Sequence, residues 1–167
     1  FIEVSQKLPL FAVVNSTVIV IHGGLFHCKN PTLEELNKIT RTGFTLQDLP
    51  EEGEAIEAVD RDEEEDFLKQ LQRDALWSDP VDVTGNHLSA RGAGVGFGPD
   101  ITRAFLELND LKMLVRSHEC VQSGYQEPYT GENAGMLSTI FSASDYSGGG
   151  NTAAYMVFKL YSDEQVA

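Results

Sequence analysis

Cysteine is scarce, with two residues, Cys28 and Cys120, in a chain of 167. That is too few for a disulfide framework, and it suits a reducing compartment, cytoplasmic or nuclear. Free buried thiols are the expectation for both. No run of 18 apolar residues occurs, so no membrane-spanning helix is expected. Basic residues are also short: 12 Lys and Arg against 26 Asp and Glu leave a net charge of −14. Nucleic acid is thereby disfavoured as a partner, because phosphate backbones are bound by Lys/Arg surfaces. The amino terminus, Phe1-Ile2-Glu3-Val4, has neither a basic region nor an initiator methionine, and reads as a cut edge and not as a signal peptide.

What is present is a globular composition, 41% hydrophobic, in a length that suits one domain. The negative charge is uneven. Residues 51–66 carry ten acidic side chains and one basic, Arg61. Such a run reads first as a solvated surface, and second as a docking face for a basic partner. It falls within an acidic stretch, 43–74, expected to be a surface insert.

Apolar and β-branched runs at 10–14 and 18–21 flank Asn15-Ser16-Thr17 and predict a hairpin. Thr32 and Glu35 fit a capping box, with Leu33, Leu36 and Ile39 on one helical face. Residues 62–73 predict a second helix with Phe67, Leu68 and Leu71 as its buried stripe. Pro99-Asp100 opens a third, with Ile101, Phe105 and Leu108 inward. Residues 111–116, 138–142 and 154–160 predict further strands. The irregular alternation favours a mixed sheet with helices packed outside it.

Two strands run straight into a histidine: 18–21 ends at His22, and Met113-Leu114-Val115 leads to His118. A histidine at a strand end has its backbone fixed by the sheet while its ring projects beyond, which suits a metal ligand. Gly23 and Gly24 would allow a sharp turn beside a metal. His27 is expected on the surface. A Cys2His2 zinc site is disfavoured, because His22 to Cys28 and His118-Glu119-Cys120 lack the paired short spacings of such sites. Residues 60–66 do not form an EF-hand loop, since Glu65 stands where glycine is required. Gly148–Gly150 is expected to be a flexible turn.

In order, the chain offers His22-Gly23-Gly24-Leu25, Leu76-Trp77-Ser78-Asp79-Pro80, Arg91-Gly92-Ala93-Gly94 continuing to Phe97-Gly98-Pro99-Asp100, Arg116-Ser117-His118-Glu119, and Phe141-Ser142-Ala143 with Tyr146. This series resembles the C-terminal half of the catalytic domain of phosphoprotein-phosphatase serine/threonine phosphatases, nearest to the protein phosphatase 5, EF-hand-bearing and plant protein phosphatase 7 branches. The resemblance implies an α+β fold, the calcineurin-like metallophosphoesterase β-sandwich flanked by helices, with residues 1–167 as its C-terminal portion only. It implies a binuclear divalent metal centre (Mn, Fe or Zn) only partly liganded here, with His22 and His118 as metal ligands. Arg91 and Tyr146 would bind the substrate phosphate, and Trp77 and Asp79 would be scaffold near the pocket. The substrates implied are phosphoserine and phosphothreonine proteins.

The family's N-terminal motifs Gly-Asp-x-His-Gly, Gly-Asp-x-x-Asp-Arg-Gly and Gly-Asn-His-Glu supply the other ligands and a leaving-group acid. No Gly-Asp pair occurs in this chain. Glu57-Ala58-Val59-Asp60-Arg61-Asp62 and Gly85-Asn86-His87-Leu88 imitate two of the motifs by chance. The chain alone is therefore expected to be catalytically incompetent, with the missing N-terminal half as its partner. The rival expectations are a non-catalytic, phosphatase-like binding module and a half-site completed by a second chain.

Overall fold

The computed structural model describes residues 7–27, 29–39 and 63–159. Strands β1 (Phe11–Val14) and β2 (Val18–Ile21) form the expected hairpin, Val14 pairing with Val18. Asn15 and Ser16 make the turn with left-handed backbone, φ 50° and 54°, a conformation that short polar side chains tolerate best. Helix α1 (Leu33–Asn37) starts on Thr32, and the capping box closes both ways: Glu35 N–H donates to Thr32 Oγ1, and Thr32 N–H to Glu35 Oε2 at 2.7 Å. Those Thr32 bonds hold the Glu35 carboxyl below the usual carboxylate range.

Helix α2 (Glu63–Trp77) runs one turn past the expected end, because Ala75, Leu76 and Trp77 continue it and it stops only before Ser78-Asp79-Pro80. Of the acidic stretch, residues 43–62 and the motif imitation at 57–62 lie outside the described residues. Its remainder belongs to α2, and there Leu71 and Asp74 are fully buried, not on the surface. Three short strands follow the helix or lie just beyond it: β3 (Asp79–Pro80), β4 (Asn86–Leu88) and β5 (Val95–Phe97). They form a small sheet, with β5 in the middle.

Helix α3 (Pro99–Leu108) has Pro at its first position, where the missing N–H costs no bond. Its buried stripe is Thr102, Phe105 and Leu106. Leu108, expected inward, is half exposed, since the face turned to the core centres one residue further round. Asn109 then ties the helix end to α1, accepting from Leu33 N–H at 2.8 Å and donating to the Pro31 carbonyl.

Strands β6 (Met113–Arg116), β7 (Tyr125–Gln126) and β8 (Leu137–Ile140) complete a five-stranded mixed sheet in the order β1-β2-β6-β8-β7. The three inner strands β2, β6 and β8 run parallel. Helical side chains Leu36, Leu71, Phe105 and Leu106 pack with Ile19, Ile21, Leu114 and Leu137 of these strands in one core. The strand expected at 154–160 is absent through residue 159. Tyr155, Val157 and Phe158 are exposed there, and no neighbouring strand pairs with them among the described residues.

Candidate metal and phosphate site

Because β2 and β6 are adjacent and parallel, with Val20 paired to Val115, their carboxyl ends open on the same sheet edge. The ladder continues one step further, Ser117 N–H donating to the His22 carbonyl at 3.0 Å. That step delivers the two histidines side by side. His118 Nδ1 lies 3.2 Å from His22 Nε2, and the ring centroids are 5.0 Å apart. His118 takes a left-handed backbone, φ 69°, which folds its ring back toward His22. Trp77, at the end of α2, packs edge-on against His118 at 5.6 Å.

Burial pushes the His118 imidazole down to about 4, and the Arg91 guanidinium adds to the push. The ring is therefore neutral at physiological pH, as a ligand must be. Its Nδ1 faces His22, while Nε2 is buried without a hydrogen-bond partner among the described residues. Two imidazole nitrogens bound at about 2.0–2.1 Å to one divalent ion lie roughly 3 Å apart when they sit next to each other. The observed pair fits that spacing. Among the described residues no third His, Cys, Asp or Glu joins it. His87, in the second motif imitation, stands on exposed β4 with Nε2 against the Thr84 carbonyl.

Arg91 is anchored through Nε, which donates to Asp79 Oδ2 at 2.6 Å. Its two terminal nitrogens make no hydrogen bond among the described residues, so the outward edge of the fork remains open. Asp79, expected as scaffold, does more. Its second oxygen accepts from Arg116 at 2.7 Å, so one carboxylate spans a surface guanidinium and a fully buried one.

Arg116 is the residue that sequence reasoning missed. Its side chain is wholly buried, and each of its nitrogens is engaged. Nε donates to the Gly23 carbonyl at 2.6 Å, Nη1 to Glu119 Oε2 at 2.5 Å, and Nη2 to Asp79 and the Ser78 carbonyl. Burial lowers its pKa, while Glu119 and Asp79 oppose the shift; a guanidinium nonetheless stays charged. It thus ties the segment behind His22, the end of α2 and the loop after His118 to one point. The available signal was an arginine ending an apolar strand, which must find an acidic partner if the strand is buried.

The glycines have a packing role as well. A Cβ on Gly23 would come within 2.5 Å of the Leu76 backbone, and one on Gly24 would strike the Phe97 ring. Both are needed for the close approach of this segment to α2 and β5, and the chain bends at His22–Gly23. His27 is indeed exposed, yet its Nδ1 lies 2.6 Å from the buried Asp74, which Gln70 also satisfies. Cys120 is a free thiol, but exposed and not buried; Cys28 lies outside the described residues.

Tyr146 follows β8, whose carboxyl end opens on the same edge as β2 and β6. It is 55% exposed, and its ring stands edge-on to Phe141. The contacts thus join His22 to His118, and Arg91 to Asp79 close enough for its charge to act on His118, with Tyr146 following the next strand along.

Residues 1–122 match the family model for calcineurin-like phosphoesterases. The chain is 37% identical over 160 residues to serine/threonine-protein phosphatase T of Trypanosoma brucei brucei, covering 95% of this chain and 29% of that protein. It is 38% identical to serine/threonine-protein phosphatase 5 of Arabidopsis thaliana, again over 95% of this chain but 25% of the relative. Among solved structures, it resembles a protein serine/threonine phosphatase from Saccharomyces cerevisiae with similarity to human phosphatase PP5. The TM-score there is 0.64 at 33% identity, covering 87% of this chain and 38% of the other. The chain thus spans well under half the length of these relatives. With a family model matched over most of the chain and relatives at 37–38% identity, it belongs to the calcineurin-like phosphoesterase family.

Proposed function

We propose that this chain forms the C-terminal half of the catalytic domain of a metal-dependent protein serine/threonine phosphatase, acting on phosphoserine and phosphothreonine side chains. The observation that carries the reading is the 3.2 Å approach of His22 Nε2 and His118 Nδ1 at the ends of neighbouring parallel strands. These nitrogens would hold one divalent ion, of the Mn, Fe or Zn class, in a centre whose other ligands come from the N-terminal half. Divalent ions at such a site supply positive charge to phosphoryl oxygens and acidify a bound water.

The chain's own residues have separate tasks. Arg91 offers its terminal nitrogens to two phosphoryl oxygens, an arrangement a planar guanidinium matches bidentately. Asp79 holds Arg91 by Nε and so fixes the direction of that fork. Tyr146 donates its hydroxyl to the same phosphoryl group. Trp77 packs on His118 and keeps the ring from turning.

Alone, the chain should bind but not turn over substrate. The test combines it with a separate polypeptide carrying the Gly-Asp-x-His-Gly half, Mn²⁺ and a chromogenic phosphate ester. Hydrolysis by the mixture, absent from either part and lost in His118→Ala, is the expected outcome. Metal-dependent turnover by this chain alone, abolished in His22→Ala, would overturn the claim of incompetence. A mixture that associates yet stays inert would overturn the phosphatase reading.

A further inference from the structure

The loop between β8 and residue 152 is exposed throughout 142–150, with a single buried residue at its far end, Asn151. Its amide is fully used. Nδ2 donates to the Ala143 carbonyl at 2.7 Å and to its neighbour Thr152, while Oδ1 accepts from Tyr146 N–H at 2.8 Å. Its backbone carbonyl accepts from Asp145 N–H at 2.8 Å. A second ring of bonds lies outside the first: Asp145 Oδ1 accepts from Gly150 N–H, and Gln122, four residues past His118, donates to the Gly150 carbonyl.

The loop needs these bonds. Asp145 and Ser147 both take left-handed backbone, φ 48° and 53°, as do Gly148 and Gly150 at 74° and 67°. Two non-glycine residues in that region would relax elsewhere unless their surroundings held them. The three-glycine run, expected to be a flexible turn, turns around a buried polar side chain.

We infer that Asn151 is the positioning residue for Tyr146, locking the 143–152 loop from beneath so that the phenol is presented at the histidine edge without an ordering step. This rests on the proposed phosphatase reading for its consequence, but the lock itself is a property of the loop. Gln122 links it to the segment that follows His118, so the tyrosine and the imidazoles keep a fixed relation.

The experiment uses the chain labelled with 3-fluorotyrosine, the Tyr146 signal being identified by its loss in Tyr146→Phe, together with hydrogen exchange of the 142–152 peptide. In Asn151→Ala, exchange across 142–150 should accelerate about tenfold while β2 and β6 keep their protection, and the Tyr146 fluorine signal should move toward that of a free tyrosine. Asp145→Ala, which removes an exposed acceptor and a residue that tolerates φ 48° better than Ala, should shift the same signals in the same direction by a smaller amount. A folded Asn151→Ala with unchanged exchange and an unmoved Tyr146 signal overturns the inference. Should Asn151→Ala fail to fold, Asp145→Ala decides alone, and unchanged signals there overturn it equally. Failure of the two-part turnover assay would bear on the phosphatase reading and leave these signals untouched.

Discussion

Strand β8 and residues 154–159 have similar strand-forming letters and opposite fates. Leu137-Ser138-Thr139-Ile140 lies between β6 and β7, bonded on both sides, with Leu137, Ser138 and Thr139 buried. Ala154-Tyr155-Met156-Val157-Phe158 has more apolar bulk, yet after Ala154 N–H bonds the Phe141 carbonyl no ladder follows among the described residues. Tyr155 is 86% exposed. The difference is a neighbour. Composition gives a segment the capacity to pair, and only an adjacent strand with free backbone groups turns that capacity into structure.

The contrast can be broken by substitution, and the largest effect should come from the centre of the paired region. Arg116→Ala removes a buried guanidinium and leaves Asp79 Oδ1, Glu119 Oε2 and the Gly23 and Ser78 carbonyls without the donor they share. Loss of one partner of a buried pair typically costs about 3–5 kcal/mol, to be read as the shift of the urea midpoint. A cost below about 1 kcal/mol would mean that the network is replaceable. Leu137→Ala, at a fully buried position of β8, should cost about 2–5 kcal/mol on the same measurement. Phe158→Ala is the counterpart in the unpaired segment, and should change stability by no more than about 0.5 kcal/mol. A Phe158 cost equal to that of Leu137 would show that the segment is packed in solution, and would dissolve the comparison.

The same contrast explains what the sequence disclosed. The hairpin, the capping box and the histidines at strand ends were legible because each is a local pattern: alternation, a three-residue spacing, an apolar run stopping at an imidazole. The parallel pairing of β2 with β6 was not, although it decides whether the histidines meet. Arg116 was overlooked because a lone arginine reads as solvated until its burial is known. Asp79 was placed near the pocket, but its double role depends on Arg91 and Arg116 approaching it from opposite sides. Leu108 and the 154–160 strand were misjudged for one reason, since periodicity states which residues share a face and not what that face meets.

The two imidazoles are 96 positions apart along the chain, and they become neighbours only when β6 docks beside β2. Hairpin and helices can each assemble from nearby residues, whereas this closure is long-range and correspondingly slow. A partly folded chain can thus own nearly all of its secondary structure and still have no site at all, which makes the histidine pair a reporter of completed topology.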